Sequence, residues 1–330
     1  MTTPDGVDAP ELLVGAYAIA PPFSSDDEEK AWYEDLAGIP GVGGLEAPFT
    51  AGFHRSGTRR FTELVPAGWR ISVTLLPLTM AGLRADSRYG LASTDDAGRA
   101  AAVHDMRRLR MAVEELEDIR GEECVTAVQL VSAPRTRDGG SSVERFAESL
   151  ETVAGWGWSA RLLIEHCDAP RPPVHAEKGF LSLDEEREVA HAVSVSTGTR
   201  VDHWINWGRS AIEGRSAMTP QLQIESLVRA GTLGGVCFSG ASAVPTPRGD
   251  AWRDVHNAPT RVDPTSLLTD EAITAATAAL AGAPGTIVAV KVQDPADHPT
   301  AASRRDALAR AVAAVRAQWA VEPSARVRPT

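Results

Sequence analysis

The run TIVAVKVQ, residues 286–293, decides the fold. Val288, Val290 and Val292 alternate there with Ala289, Lys291 and Gln293, and successive side chains of a strand point to opposite faces. One face is an apolar row suited to lie beneath helices, while the other carries a lysine and an amide. That division suits a closed barrel, whose strands turn one face to surrounding helices and the other to the axis.

Seven more short apolar runs precede it: LLVGAYA (12–18), GVGGLEA (41–47), ISVTLL (71–76), VTAVQLV (125–131), RLLIEH (161–166), VDHWIN (201–206) and GVCFS (235–239). Longer segments between them repeat their apolar residues at three and four positions, as helices with one buried face do. Val143, Phe146, Ala147, Leu150, Val153 and Ala154 form one such face, and Leu308, Ala311, Val312, Val315 and Trp319 another. Helix starts are marked by Ser141 with Glu144 and Ser182 with Glu185, spaced as capping boxes. Thr219-Pro220 reads as a cap before a proline at the first helical position, and Gly231 closes that helix.

Eight strand–helix units could form an open sheet or a barrel. The first strand runs into GAYAIAPP, with no GxGxxG to open a phosphate-binding helix, and nearly every strand carries a polar group near its carboxyl end. Both observations favour a single (β/α)8 TIM barrel over residues 11–320, with loose polar tails at 1–10 and 321–330.

Composition fits that reading and excludes several functions. The 330 residues are 43% hydrophobic and 23% charged, with a formal net charge of -11, which disfavours a phosphate-backbone partner such as nucleic acid. No apolar run approaches the roughly 20 residues of a membrane span, and the N-terminus is acidic where a signal peptide is basic, so the expected location is the cytoplasm. Cys124, Cys167 and Cys237 lack CxxC spacing and read as buried free thiols.

Applied to the other runs, the period of two sends Glu46, Thr74, Gln129, Leu163, Glu165, Cys167, Asp202, Trp204, Asn206 and Ser239 inward. A charged side chain inside a barrel is found there mainly when paired or functional, so Glu46, Glu165 and Lys291 are the candidate catalytic residues. Gln129, Asn206, Ser239 and Gln293 are candidate substrate contacts, because amides and hydroxyls donate and accept at once. His166 faces the other way by period, which leaves a supporting role open beside a direct one.

Two long loops on the same face add further candidates. HCDAPRPPVHAEKGFL (166–181) offers Asp168, His175 and Lys178. GASAVPTPRGDAWRDVHNAPTRV (240–262) offers Arg248, Trp252, Arg253, Asp254, His256 and Asn257. Arg209 and Arg215 in NWGRSAIEGR (206–215) are candidate anion contacts. His54, His104 and His191 read as solvated.

At GLEAP, where Glu46 ends the second strand, and LLIEHCD, where Glu165 ends the fifth, the chain resembles the xylose isomerase-like TIM barrels, in an uncharacterised bacterial branch. The resemblance implies a sugar or sugar-phosphate isomerase or epimerase that moves a proton next to a carbonyl. It also implies a divalent metal held by Glu, Asp, His and Glu on successive later strands. Glu165 matches the first ligand, but Asn206, Ser239 and the Lys291–Gln293 pair stand where the others belong. Asp168, Asp202, His175 and His256 are the donors that remain to rebuild a metal site, and a metal-free site is favoured. Glu165 is then the expected base, Glu46 the second acid/base, and Lys291 the oxyanion stabiliser, facing Glu165 across about 4–6 Å. The substrate is expected to be a small carbohydrate-like molecule; the oligomeric state stays open. Two rivals remain, a Schiff-base lyase using Lys291 and a non-catalytic binding barrel.

Overall fold

The computed structural model describes residues 10–137, 140–174, 176–293 and 299–319. The expected loose tails, apart from Pro10, and His175 lie outside the described residues. The strands are β1 (Leu12–Val14), β2 (Val42–Pro48), β3 (Arg70–Thr74), β4 (Val125–Leu130), β5 (Arg161–His166), β6 (Val201–Asn206), β7 (Leu233–Phe238) and β8 (Ile287–Val290). Each pairs in parallel with the next and β8 pairs with β1, closing the barrel in sequence order. All eight predicted runs are therefore strands of one (β/α)8 barrel.

The helices are α1 (Asp26–Ala37), α2 (Thr58–Leu64), α3 (Leu76–Ala85), α4 (Asp96–Arg120), α5 (Val143–Ala154), α6 (Leu183–Thr197), α7 (Trp207–Gly214), α8 (Met218–Ala230), α9 (Asp270–Leu280) and α10 (Ala301–Trp319). Outward strand residues such as Val73, Val128, Ile164, Ile205, Val236 and Val290 share one buried cluster with helix residues such as Phe146, Leu150, Val189, Leu227, Ile273, Leu308 and Val312. Burying each such side chain stabilises by roughly 1.5–3 kcal/mol, so this layer between sheet and helices dominates the fold.

A separate, smaller cluster fills the barrel axis: Leu13, Ala127, Leu163, Trp204, Cys237 and Ala289. One large ring sits among small neighbours. Gly235 makes the room, since a Cβ there would lie 2.0 Å from the Trp204 ring. Above this plug, toward the carboxyl ends of the strands, the inward residues become polar.

Some local expectations need correction. Ser142, not Ser141, caps α5 by accepting from the Arg145 N–H, because the Ser141 backbone is taken up in a bridge to Ser93. The capping box of Ser182 with Glu185 is present. Helix α8 begins one residue before Thr219: Ser216 Oγ accepts from the Met218 N–H at 3.1 Å, and Pro220 falls inside the first turn, where a missing N–H is harmless. Gly231 closes it in the left-handed region, as expected.

His54 is not solvated; its side chain is buried against Glu29, with Nε2 3.1 Å from the carboxylate. His104 and His191 are exposed, and all three cysteines are buried free thiols. No helix among the described residues is long and apolar enough to cross a membrane.

Candidate active site

Strand alternation delivers the polar set to the axis. Glu46, Gln129, Glu165, Asn206, Ser239 and Lys291 are all buried at the carboxyl ends of their strands or just beyond them. They are organised around two ion pairs. Lys291 Nζ lies 2.8 Å from Glu46 Oε2 and donates to Glu46 Oε1 at 3.0 Å, with the Tyr17 hydroxyl at 3.3 Å. Gly15 lets that pair fit, because a Cβ there would come within 2.8 Å of the lysine and 2.9 Å of Glu46.

Glu165 belongs to the second pair, with a partner that the sequence reading did not assign to it. Its carboxylate accepts from Arg209 through Oε1 and from Thr74 Oγ1 at 3.1 Å through Oε2, so its cationic partner is Arg209 rather than Lys291. Asn206 accounts for the arginine's position. It caps α7 by accepting from the Arg209 N–H at 3.3 Å, which holds that residue in the first turn over the barrel mouth.

Loops complete the site from above. Asp254 Oδ2 accepts from Arg209 Nε at 2.9 Å and from Lys178 Nζ at 3.0 Å, joining the loop after β7 to the one after β5. His256 Nδ1 is 2.7 Å from Ser239 Oγ and 3.4 Å from Asp254 Oδ1. Asp168 instead organises its own loop, accepting from the backbone N–H groups of Glu177 and Lys178. Gln293 contributes its backbone N–H to the His256 carbonyl at 2.9 Å. Asp202, the inward acid at the other end of β6, pairs with Arg200 at 2.8 Å and Arg161 at 3.1 Å and is structural.

Electrostatics keep both cations charged. Burial opposes the charge on Lys291, but Glu46 together with Tyr17, Cys237 and Glu165 holds the ammonium well above the usual lysine range. The Schiff-base reading is weakened accordingly, since its nucleophile must be a free amine. Burial likewise opposes Arg209, and Asp254 with Glu165 overrides it. Asp254 stays ionised well below the usual range despite burial, through Arg209 and Lys178. His256 is pushed down to about 3 by burial and by Lys291, Arg209 and Lys178, against the opposing pull of Asp254, so its imidazole is neutral.

His166 is not a substrate contact. Following Glu165 in a strand, it faces the helices, where Nδ1 meets Glu186 and Nε2 meets Glu213, each at 2.7 Å. Ser132 and Gln223 bond the same two carboxylates, and Arg171 lies 3.4 Å from Glu213. Burial opposes a charged His166, yet the two glutamates push it up to about 10. The folded value exceeds the unfolded value of about 6.5, so this contribution to stability is complete below about pH 6.5 and is lost as pH rises through about 10. The stability advantage over a His166→Gln variant, measured by urea unfolding, is expected to shrink across that window. A constant difference would show that the imidazolium is not what the glutamates hold.

A divalent metal finds no matching set of donors among the described residues. Among the described residues no three His, Cys, Asp or Glu side chains group as a metal site. Glu165 already carries a guanidinium and Glu46 an ammonium, and two fixed cations repel a third. The residues present do not fit the metal that the resemblance implies.

Sequence alternation found the inward set but missed Tyr17, which sits beyond β1 on a short 3-10 turn, and the bridging role of Asp254. The signal available for Arg209 was its place three residues after the cap Asn206.

Comparison with known proteins agrees with the architecture. The family described as a domain of unknown function (DUF4862) matches residues 13–308. An uncharacterised protein of Salmonella typhimurium is 34% identical over 274 residues, covering 80% of this chain and 84% of that protein. Among solved structures, L-ribulose 3-epimerase superposes with a TM-score of 0.59 at 14% identity, covering 97% of this chain and 100% of the other. A xylose isomerase domain protein from Alicyclobacillus acidocaldarius gives 0.54 at 14% identity, covering 94% and 99%. The fold is that of the xylose isomerase-like barrels.

Proposed function

The chain belongs to the DUF4862 family, and from that premise we propose that it is a sugar isomerase or epimerase that transfers a proton next to a carbonyl without a bound metal. One observation carries the reading: two carboxylate–cation pairs, Glu46 with Lys291 and Glu165 with Arg209, buried together at the carboxyl ends of the strands. This is the end of a TIM barrel where active sites form.

A purely structural network would be expected to satisfy its polar atoms, because a half-satisfied buried network is costly. This one is incomplete: Gln129 Oε1 and Asn206 Nδ2 are buried with no hydrogen-bond partner among the described residues. One is an acceptor and the other a donor, and sugar hydroxyls serve both.

In this mechanism Glu165 removes the proton from the carbon beside the carbonyl, and Lys291 stabilises the oxygen charge that develops on the enediolate. Glu46 stands three strands away around the ring, on β2 against β5, and the Lys291 ammonium bonded to it can return a proton from another side of the substrate, while Glu165 passes the proton it removed to solvent. That is the requirement for epimerisation. The L-ribulose 3-epimerase among the structural neighbours supports a sugar as the substrate.

The test is proton exchange. Protein freed of metal with a chelator is incubated in deuterium oxide with a panel of ketoses and aldoses, followed by NMR. Solvent deuterium is expected at the carbon next to the carbonyl, together with the epimer or isomer. Exchange only after a divalent metal is added back would overturn the metal-free mechanism, and binding without any exchange would leave a ligand-binding barrel.

A further inference from the structure

The cations at the barrel mouth outnumber what the proposed proton transfer uses. Arg209 serves Glu165, whereas Lys178 touches neither catalytic carboxylate. Its close partner is Asp254 at 3.0 Å, with Glu177 more distant at 3.6 Å. Asp254 reaches it from the loop between β7 and α9, residues 239–269. The neck of that loop is pinned where Gly240 and Asn257 exchange backbone hydrogen bonds at 2.7 and 3.1 Å.

The backbone on both sides of Asp254 is strained. Trp252 and His256 adopt φ values of 64° and 46°, in the left-handed region that costs an L-residue energy. Such strain persists only where surrounding contacts enforce it, and here backbone bonds from Trp252 N–H to the Ser242 carbonyl at 2.8 Å and from Gln293 N–H to the His256 carbonyl at 2.9 Å act together with ionic contacts. Arg253 meets Glu177 at 2.9 Å while Asp254 meets Lys178 and Arg209. Charge is thus part of what holds the loop closed.

Glu46, Glu165, Asn206 and Lys291 are at most 1% exposed, so the proton-transfer reading requires part of the barrel mouth to move, and Asp254 and His256 of this loop bond Arg209 and Ser239 there. Opening withdraws Asp254 and leaves Lys178, itself 8% exposed, without its close carboxylate. A neutral sugar taking that place would leave the ammonium only the more distant Glu177 at 3.6 Å, whereas an anionic group would replace one close charge with another. We infer that Lys178 and Arg209 form a subsite for a negatively charged group of the substrate, a carboxylate or a phosphate, and that Asp254 fills it as an internal stand-in when the loop is closed.

Two more features favour an anion. The guanidinium is a planar donor fork matched to carboxylate and phosphate. Arg209 also lies in the first turn of α7, whose dipole favours negative charge, three residues after Asn206, whose Nδ2 has no hydrogen-bond partner among the described residues. This inference names the substrate class for the proton-transfer reading and rests on it.

The experiment measures binding of D-glucuronate, D-fructose 6-phosphate and neutral D-fructose by calorimetry, at matched ionic strength, to the unaltered protein, Asp254→Asn and Lys178→Gln. Asp254→Asn removes the internal competitor, so a charged sugar is expected to bind it about tenfold tighter or more, with little change for fructose. Lys178→Gln is expected to weaken the charged sugar by about tenfold or more. The two charged probes separate a carboxylate site from a phosphate site. In thermal melts, Asp254→Asn is expected to unfold at lower temperature and to recover with a charged sugar but not with chloride. Equal binding of charged and neutral sugars, a charge preference that survives Lys178→Gln, or no recovery of Asp254→Asn beyond chloride would overturn the subsite. If Asp254→Asn does not fold, the Lys178→Gln comparison decides alone. Deuterium exchange on neutral sugars without any charge preference would sink the subsite and keep the epimerase reading; tight charged-sugar binding without exchange on any sugar would do the reverse.

Discussion

Glu165→Gln is expected to slow proton exchange by roughly 10²-fold or more, the scale of a lost general base. Gln keeps the shape of the side chain and can still bond Thr74 and Arg209, but it cannot accept the substrate proton. The fold should largely survive, because Arg209 keeps a second carboxylate, Asp254, at 2.9 Å. Exchange rate and melting temperature measured on the same variant separate the two roles. A large drop in melting temperature with unaltered exchange in the folded fraction would mean that Glu165 is only half of a structural pair.

The second large effect falls on stability. Glu46→Gln is expected to destabilise the protein by about 3–5 kcal/mol, since it leaves a fully buried ammonium without its carboxylate. Lys291 differs from Arg209 in this respect, because among the described residues Glu46 is the carboxylate that pairs with it. Replacing both partners, Glu46→Gln with Lys291→Met, removes the stranded charge and should recover much of the loss. Urea unfolding of both single variants and the double variant completes the cycle. If the double variant were as unstable as the sum of the singles, the pair would not be coupled and the stranded-charge account would fail.

These two glutamates also mark how far the sequence could be read. Strand alternation depends only on local backbone geometry, so the inward placement of Glu46, Gln129, Glu165, Asn206, Ser239 and Lys291 was legible residue by residue. The outward turn of His166 followed from the same period, although the two carboxylates that hold it come from α6 and α7 and have no mark in β5. Caps were less secure: Ser141 has the right spacing, but a bridge to Ser93 moved the cap to its neighbour.

The sequence by itself determined the eight parallel strands, the closed barrel and the polar interior at one end, because burial of apolar faces and the period of two act along the chain without reference to distant partners. Only the tertiary structure decided which charges meet. Glu165 finds Arg209 rather than Lys291, and Asp254 bridges Arg209 and Lys178, because ion pairing depends on the reach of long side chains and on how irregular loops cross the barrel mouth. Loops have no period, and a Coulomb partner is set by distance in space rather than spacing in sequence.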